Sequence, residues 1–213
     1  MTEPIATPEP ERLPLTLADT SRRRGCAAAA ISVILGAAVG GVVGLIGGRI
    51  PGLITAAVVA GVLGLLTWAT ARRKIWLAGH RVVARTIGSK SVDLHAADRL
   101  ELIVTDVRGV RTVGLLVAEK RKTINLSLAV YSGTGGRELG ILALRKLADA
   151  LAGSSNTAGL VFSQLLVAQL RAEARGEAAP DRPLFQLASV APSGKLAQRL
   201  KAEAVTKFVA NLP

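Results

Sequence analysis

The chain has 213 residues, 50% of them hydrophobic and only 3% aromatic, with 27 Lys and Arg against 15 Asp and Glu for a formal net charge of +12. Ala, Leu, Val and Ile carry the apolar content, a balance that excludes both a disordered chain and a pure bundle of membrane helices. The single cysteine, Cys26, excludes an internal disulfide framework and a cysteine-rich metal site, and fits a reducing cytosol.

Residues 1–21 contain Pro4, Pro8, Pro10 and Pro14 together with Glu3, Glu9, Glu11 and Asp19, and no hydrophobic period is sustained there. They read as a disordered tail.

From Cys26 to Gly48 and again from Leu53 to Ala71 no residue is charged. Each stretch is about 20 residues, enough for a helix to cross roughly 30 Å of hydrocarbon. Arg49, Ile50, Pro51 and Gly52 lie between them and predict a tight turn. Residues 22–74 are therefore expected to form an antiparallel transmembrane hairpin with helices over 26–48 and 53–71. Arg22, Arg23, Arg24, Arg72, Arg73 and Lys74 flank its outer ends, whereas the turn holds Arg49 alone. That asymmetry predicts a multi-pass protein of the cell (inner) membrane with both termini cytosolic. The same six flanking cations, with Trp68 and Trp76, are the candidate membrane-interface residues. A cleaved signal peptide is the rival reading of the first stretch; the 21 residues before its arginines and the second apolar stretch close behind oppose it. Cys26 precedes the apolar run rather than following it, which opposes a lipid attachment site.

Gly36, Gly40, Gly44 and Gly48 repeat every fourth residue, and Gly52, Ala56, Ala60 and Gly64 answer them at the same spacing. This is a glycine zipper, which lets helix backbones approach closely. Packing of the two stripes within one chain is the plainer expectation. Packing between chains, with Gly41 or Gly61 serving a second face, is the alternative.

Beyond Gly79 short runs rich in Val, Ile, Leu and Thr alternate with polar residues. Strands are expected at Arg81–Ile87, Ser91–Leu94, Arg99–Thr105, Thr112–Ala118 and Thr123–Tyr131. The SGTGG segment at 132–136 is expected to be a turn before an amphipathic helix from Arg137 to Ala152, with Ile141, Leu144, Leu147, Ala148 and Leu151 on one face. Together these give a small α+β domain over residues 75–153, an antiparallel sheet closed by a helix.

A transmembrane hairpin followed by the short VDL strand at 92–94, further strands and a terminal helix resembles bacterial membrane proteins, of an uncharacterised actinobacterial type, that carry a pleckstrin-homology-like (PH-like) domain. The resemblance covers residues 22–153 and rests on the order of elements, with five strands counted where such domains usually have seven. It implies a scaffold that binds protein or lipid.

A C-terminal helical extension over 154–213 is expected to hold helices at Thr157–Arg175 and Lys195–Asn211, separated by EAAPDRP at 177–183. The apolar block of the first includes Leu160, Phe162, Leu165 and Leu166; at about ten residues it is too short to span a bilayer and is expected to pack on the domain. In the last helix Leu196, Leu200, Ala204 and Phe208 form a stripe flanked by Lys195, Lys201 and Lys207, a basic amphipathic pattern suited to anionic lipid.

His80 and His95 lack metal-ligand spacing, and SGTGG lacks the Lys and Ser/Thr that end a phosphate-binding loop. No catalytic, cofactor or metal residue is assigned. The expected function is a membrane-anchored cytosolic interaction module, not an enzyme, whose partners are the lipid bilayer, an unidentified protein and anionic lipid. A glycine-zipper homo-oligomer forming a membrane pore, and an enzyme with an unrecognised site, are the alternatives. The scarcity of aromatic stacking residues argues against nucleic acid.

Overall fold

The structure, a computed structural model, describes residues 12–17, 21–71, 74–86, 88–190 and 197–211, with the backbone alone described for 21–29 and 68–71. The chain divides into a helical hairpin and a domain of mixed helix and sheet.

The two apolar stretches form the hairpin helices α1 (Ser21–Gly47) and α2 (Arg49–Ala71). Ala30–Gly47 and Arg49–Thr67, with mean hydropathies of 2.2 and 2.1, are long and apolar enough to cross a membrane. The break between the helices is a single residue. Gly48 sits at φ +92°, a conformation that a Cβ would disfavour. The expected turn from Arg49 to Gly52 is instead the first turn of α2, where Pro51 is tolerated because first-turn N–H groups have no intrahelical acceptor to lose. Large apolar side chains face outward along both helices: Leu45 is 90% exposed and Leu53 71%. A helix from a soluble core would show the reverse.

The domain contains two antiparallel sheets. The first joins β1 (Arg12–Pro14), β2 (Lys74–Ala78), β3 (Arg81–Arg85) and β4 (Ser89–Asp93) in that spatial order. The second contains β5 (Arg99–Val107), β6 (Val110–Glu119), β7 (Lys122–Ser132), β8 (Gly135–Glu138) and β9 (Gln198–Leu200), with spatial order β8-β7-β6-β5-β9. Period-two alternation points Leu100, Leu102 and Val104 of β5 and Val113, Leu115 and Val117 of β6 into one core. Among the described residues four α-helices follow the sheets or alternate with β9: α3 (Ile141–Ala152), α4 (Thr157–Ala174), α5 (Pro183–Val190) and α6 (Ala202–Ala210). Leu144 and Leu147 of α3, Phe162 and Leu165 of α4, Leu184 of α5 and Val205 of α6 enter that same core.

Several expectations need correction. The tail expected to be disordered over 1–21 supplies β1, with Leu13 opposite Leu77, Pro14 opposite Trp76, and Leu15 buried; residues 1–11 and 18–20 lie outside the described residues. Five strands were expected and nine are present among the described residues; β1, β8 and β9 are 3, 4 and 3 residues long, too short to show a period of their own, and β2, with Ile75 and Leu77 buried, was missed. The helix expected from Arg137 begins at Ile141, since Gly135–Glu138 pairs with β7. The helix expected from Lys195 begins at Ala202, because Gln198–Leu200 pairs with the edge of β5. Lys195 and Leu196 lie outside the described residues. In α6 the buried residue is Val205, while Ala204 of the expected stripe is exposed. The described residues after 154 contribute Phe162, Leu165, Leu184 and Val205 to the domain core rather than forming an appended extension.

Candidate functional site

Within the hairpin the zipper stripes meet. A Cβ placed on Gly36 would lie 2.8 Å from the Ala60 Cβ and 2.9 Å from the Ala56 carbonyl oxygen. One placed on Gly40 would collide with the Ala56 Cβ and lie 2.6 Å from the Gly52 carbonyl oxygen, and one on Gly52 would lie 2.6 Å from the Gly44 Cα. Hydrogen in place of a methyl group at these positions allows the two backbones to touch. Gly36, Gly40, Gly44, Gly52, Ala56 and Ala60 thus mate within the chain. Gly48 serves the link instead, and Gly64, like Gly41 and Gly61, has nothing within 4 Å of its added Cβ.

Of the expected interface residues, Lys74 is the exposed first residue of β2, and Trp76 is half-buried in the same strand. Arg72 and Arg73 lie outside the described residues, as do the side chains of Arg22, Arg23, Arg24 and Trp68.

The domain brings together three groups of side chains that no local motif announces. His80 and His95 stack at 4.7 Å between ring centroids, with His80 Nε2 3.5 Å from an Asp93 oxygen. Asp93 also accepts from the His95 backbone N–H at 2.9 Å and lies 3.6 Å from Arg81 Nε. Among the described residues no three His, Cys, Asp or Glu side chains converge as a metal site.

A second group joins β7, β8 and the segment before α5. The Tyr131 hydroxyl donates to one Glu138 oxygen, and Arg182 donates from its guanidinium to the other and from Nε to the Glu177 carbonyl. Burial, then the hydrogen bond to Glu138, push the Tyr131 phenol well above the usual tyrosine range; the same carboxylate raises Arg182 further. The SGTGG segment belongs here. Gly133, at φ +59°, makes the β7–β8 turn, and Gly136 leaves room for the Tyr131 ring, which a side chain would strike. Beside this network opens a cavity of about 560 Å³, lined among others by Asp106, Arg108, Arg111, Tyr131, Phe185 and Ser189. Asp106 is already engaged by the Gly109 N–H and by Arg111, so the cavity is a cleft with an aromatic wall and a charged rim.

The third group locks the sheets to the helices. Asn156 caps α4 by accepting from the Ala158 N–H at 3.0 Å, and its amide donates at 3.1 Å to the Asp98 carbonyl. The Ser155 N–H and hydroxyl both donate to the His95 carbonyl, at 2.9 and 2.8 Å.

No protein-family model matches the chain, and no curated protein or solved structure matches it either.

Proposed function

We propose that the chain is a membrane-anchored interaction module: α1 and α2 cross the bilayer of the cell membrane as a hairpin, and the domain lies on the cytosolic side with both termini. There it acts as a non-catalytic scaffold for a protein partner and for anionic lipid. The observation that carries this reading is the β1–β2 pair. One strand precedes the hairpin, the other follows it, and the Leu15 N–H donates to the Ile75 carbonyl at 2.8 Å beyond their ladder. Two segments that share a sheet occupy one compartment, so the apolar chain between them crosses an even number of times. Cleavage as a signal peptide would cut β1 away from its partner. The outward apolar surface of both helices supports insertion, since only helices and closed barrels satisfy their peptide groups in lipid. The basic flanks support a cytosolic domain.

The order β2 to β8 followed by α3, seven strands in two sheets and then a helix, favours a PH-like domain as the scaffold. Since fold alone does not choose a ligand, its partner follows from its surfaces. The pore reading loses support because Gly36, Gly40 and Gly52 are already taken up by the chain's own second helix.

The test is fractionation of the full-length chain with an accessibility tag at either end. Resistance to alkaline extraction, with both tags in the same compartment, is expected. Recovery in the supernatant after ultracentrifugation without detergent, or tags in opposite compartments, would overturn the reading.

A further inference from the structure

The cleft beside Tyr131 is built on one row of the second sheet. Asp106 of β5 stands opposite Arg111 of β6, Arg111 opposite Tyr131 of β7, and Tyr131 opposite Gly136 of β8. Directly paired residues share a face of a sheet, so a carboxylate, a guanidinium and a phenol ring line up at the end of the core-facing side. Phe185 of α5 meets the Tyr131 ring edge-on, and Ser189, one turn further along the helix, lines the same cleft. Within the row the charges cancel. One Asp106 oxygen accepts from the Gly109 N–H at 3.1 Å, and the other lies 3.6 Å from Arg111 Nε. Arg108 is different. It lines the cleft from the tip of the β5–β6 hairpin, is exposed, and its guanidinium has no ion-pair or hydrogen-bond partner among the described residues. Its backbone sits at φ +53° and Gly109 follows at φ +77°, a turn whose first position Asn or Gly fills more readily than arginine. The Asp106 bond to Gly109 pins that turn, so the unmatched charge is presented from a held backbone.

The cleft thus offers an aromatic wall and one unmatched positive charge. Its volume of about 560 Å³ falls in the range of ligand pockets, room for roughly two or three residues of peptide. A single cation matches a carboxylate, whereas a phosphate monoester would bring nearly two negative charges beside the Asp106 carboxylate. Because wall and cation belong to one cleft, the occupant must carry an apolar group and an anion close together. An apolar residue at the end of a chain carries both on one α-carbon. We propose that this cleft binds the C-terminal residues of a partner protein, with an apolar side chain against Tyr131 and Phe185 and the terminal carboxylate on Arg108. The inference rests on the reading of the domain as a scaffold for a protein partner and names the chemistry of that partner. Capture of a chain end is a recurring mode of peptide recognition, since a free carboxylate marks the end.

The test uses the full-length chain in detergent with ring-labelled tyrosine, whose single residue, Tyr131, gives one ring signal from the cleft wall. The probes are the peptide acetyl-Ala-Ala-Phe as free acid, the same peptide as C-terminal amide, and phenylacetate. The acid is expected to shift the Tyr131 signal saturably and to bind about fivefold more tightly than the amide, the yield of one partly exposed ion pair. Arg108→Gln is expected to remove that preference and Arg108→Lys to keep it. Arg145→Gln, which removes the same charge from an exposed position on α3, is expected to keep it too. Phenylacetate is expected to bind more weakly than the peptide acid; binding as tight as the peptide's reassigns the cleft to small aromatic acids and overturns the proposal. No saturable shift, equal affinity for acid and amide, or a preference that survives Arg108→Gln overturns the inference and leaves the scaffold reading standing. A probe recovered chemically altered overturns the non-catalytic reading and this inference with it.

Discussion

The Tyr131 hydroxyl donates a 2.7 Å hydrogen bond to Glu138 across the β7–β8 pair, and Arg182 holds the other carboxylate oxygen at 2.7 Å. Neutral phenol, charged carboxylate and guanidinium thus form one closed arrangement, beside which Phe185 meets the Tyr131 ring edge-on at 5.0 Å between centroids.

The arrangement predicts an alkaline limit to stability. Because the folded phenol ionises above its unfolded value of about 10, its contribution is whole below that pH and is lost as pH rises through the folded value. Thermal stability should fall from about pH 10 upward, and Tyr131→Phe should remove that part of the fall at a cost of about 1 kcal/mol at neutral pH. Tyr131 is the chain's one tyrosine, so phenolate absorbance reports it alone. Titration of the folded protein with an ordinary tyrosine midpoint would contradict the prediction.

For the hairpin, Gly40→Leu should destabilise by about 1–3 kcal/mol or more, because the Ala56 methyl and the Gly52 carbonyl occupy the space it needs. Gly41→Leu, one residue away with open space around it, should be tolerated. Thermal unfolding in detergent separates the two, and equal melting of both variants would count against close packing at this stripe.

Asn156→Ala removes a helix cap and a brace to the Asp98 carbonyl in one substitution. A loss of about 1–2 kcal/mol is expected, measurable in the chemical denaturation midpoint. Asn156→Asp keeps the cap and loses the donor, so it should fall between the two.

Leu15→Ala tests the N-terminal strand. Leu15 is 2% exposed, and truncating a buried leucine costs about 2–5 kcal/mol. Increased proteolysis near β1 should accompany the lower melting temperature; a residue in a loose tail would show neither effect.

The hairpin was legible because its signal is composition, and composition needs no partner. β3 to β7 were legible within a few residues, β3 and β7 because buried and exposed positions largely alternate, and β6 because it is a continuous run of Val, Gly, Leu and Ala bounded by turn residues, buried from Val113 to Ala118. Where the sequence misled, conformation came from across the sheet. Arg12-Leu13-Pro14 has too few residues for a period and contains a proline, which an edge strand accepts. Gly135–Glu138 reads as a loop until β7 lies beside it. Gln198–Leu200 lies within a helical pattern yet pairs with β5. Lys74 was read as a cation flanking the hairpin, and nothing local marked it as the start of a strand. The Tyr131, Glu138 and Arg182 group had no local signal at all, because Arg182 lies 44 residues beyond Glu138.

The strand that precedes the helices has a temporal consequence. β1 is synthesised before α1, but the strand it joins emerges only after α2 is complete. Whatever the ribosome has released until then, the first sheet lacks an edge, and Leu15 has no Ile75 carbonyl to reach. Closure of that edge therefore records that both apolar helices have already been made, tying maturation of the folded domain to the fate of the segment it encloses.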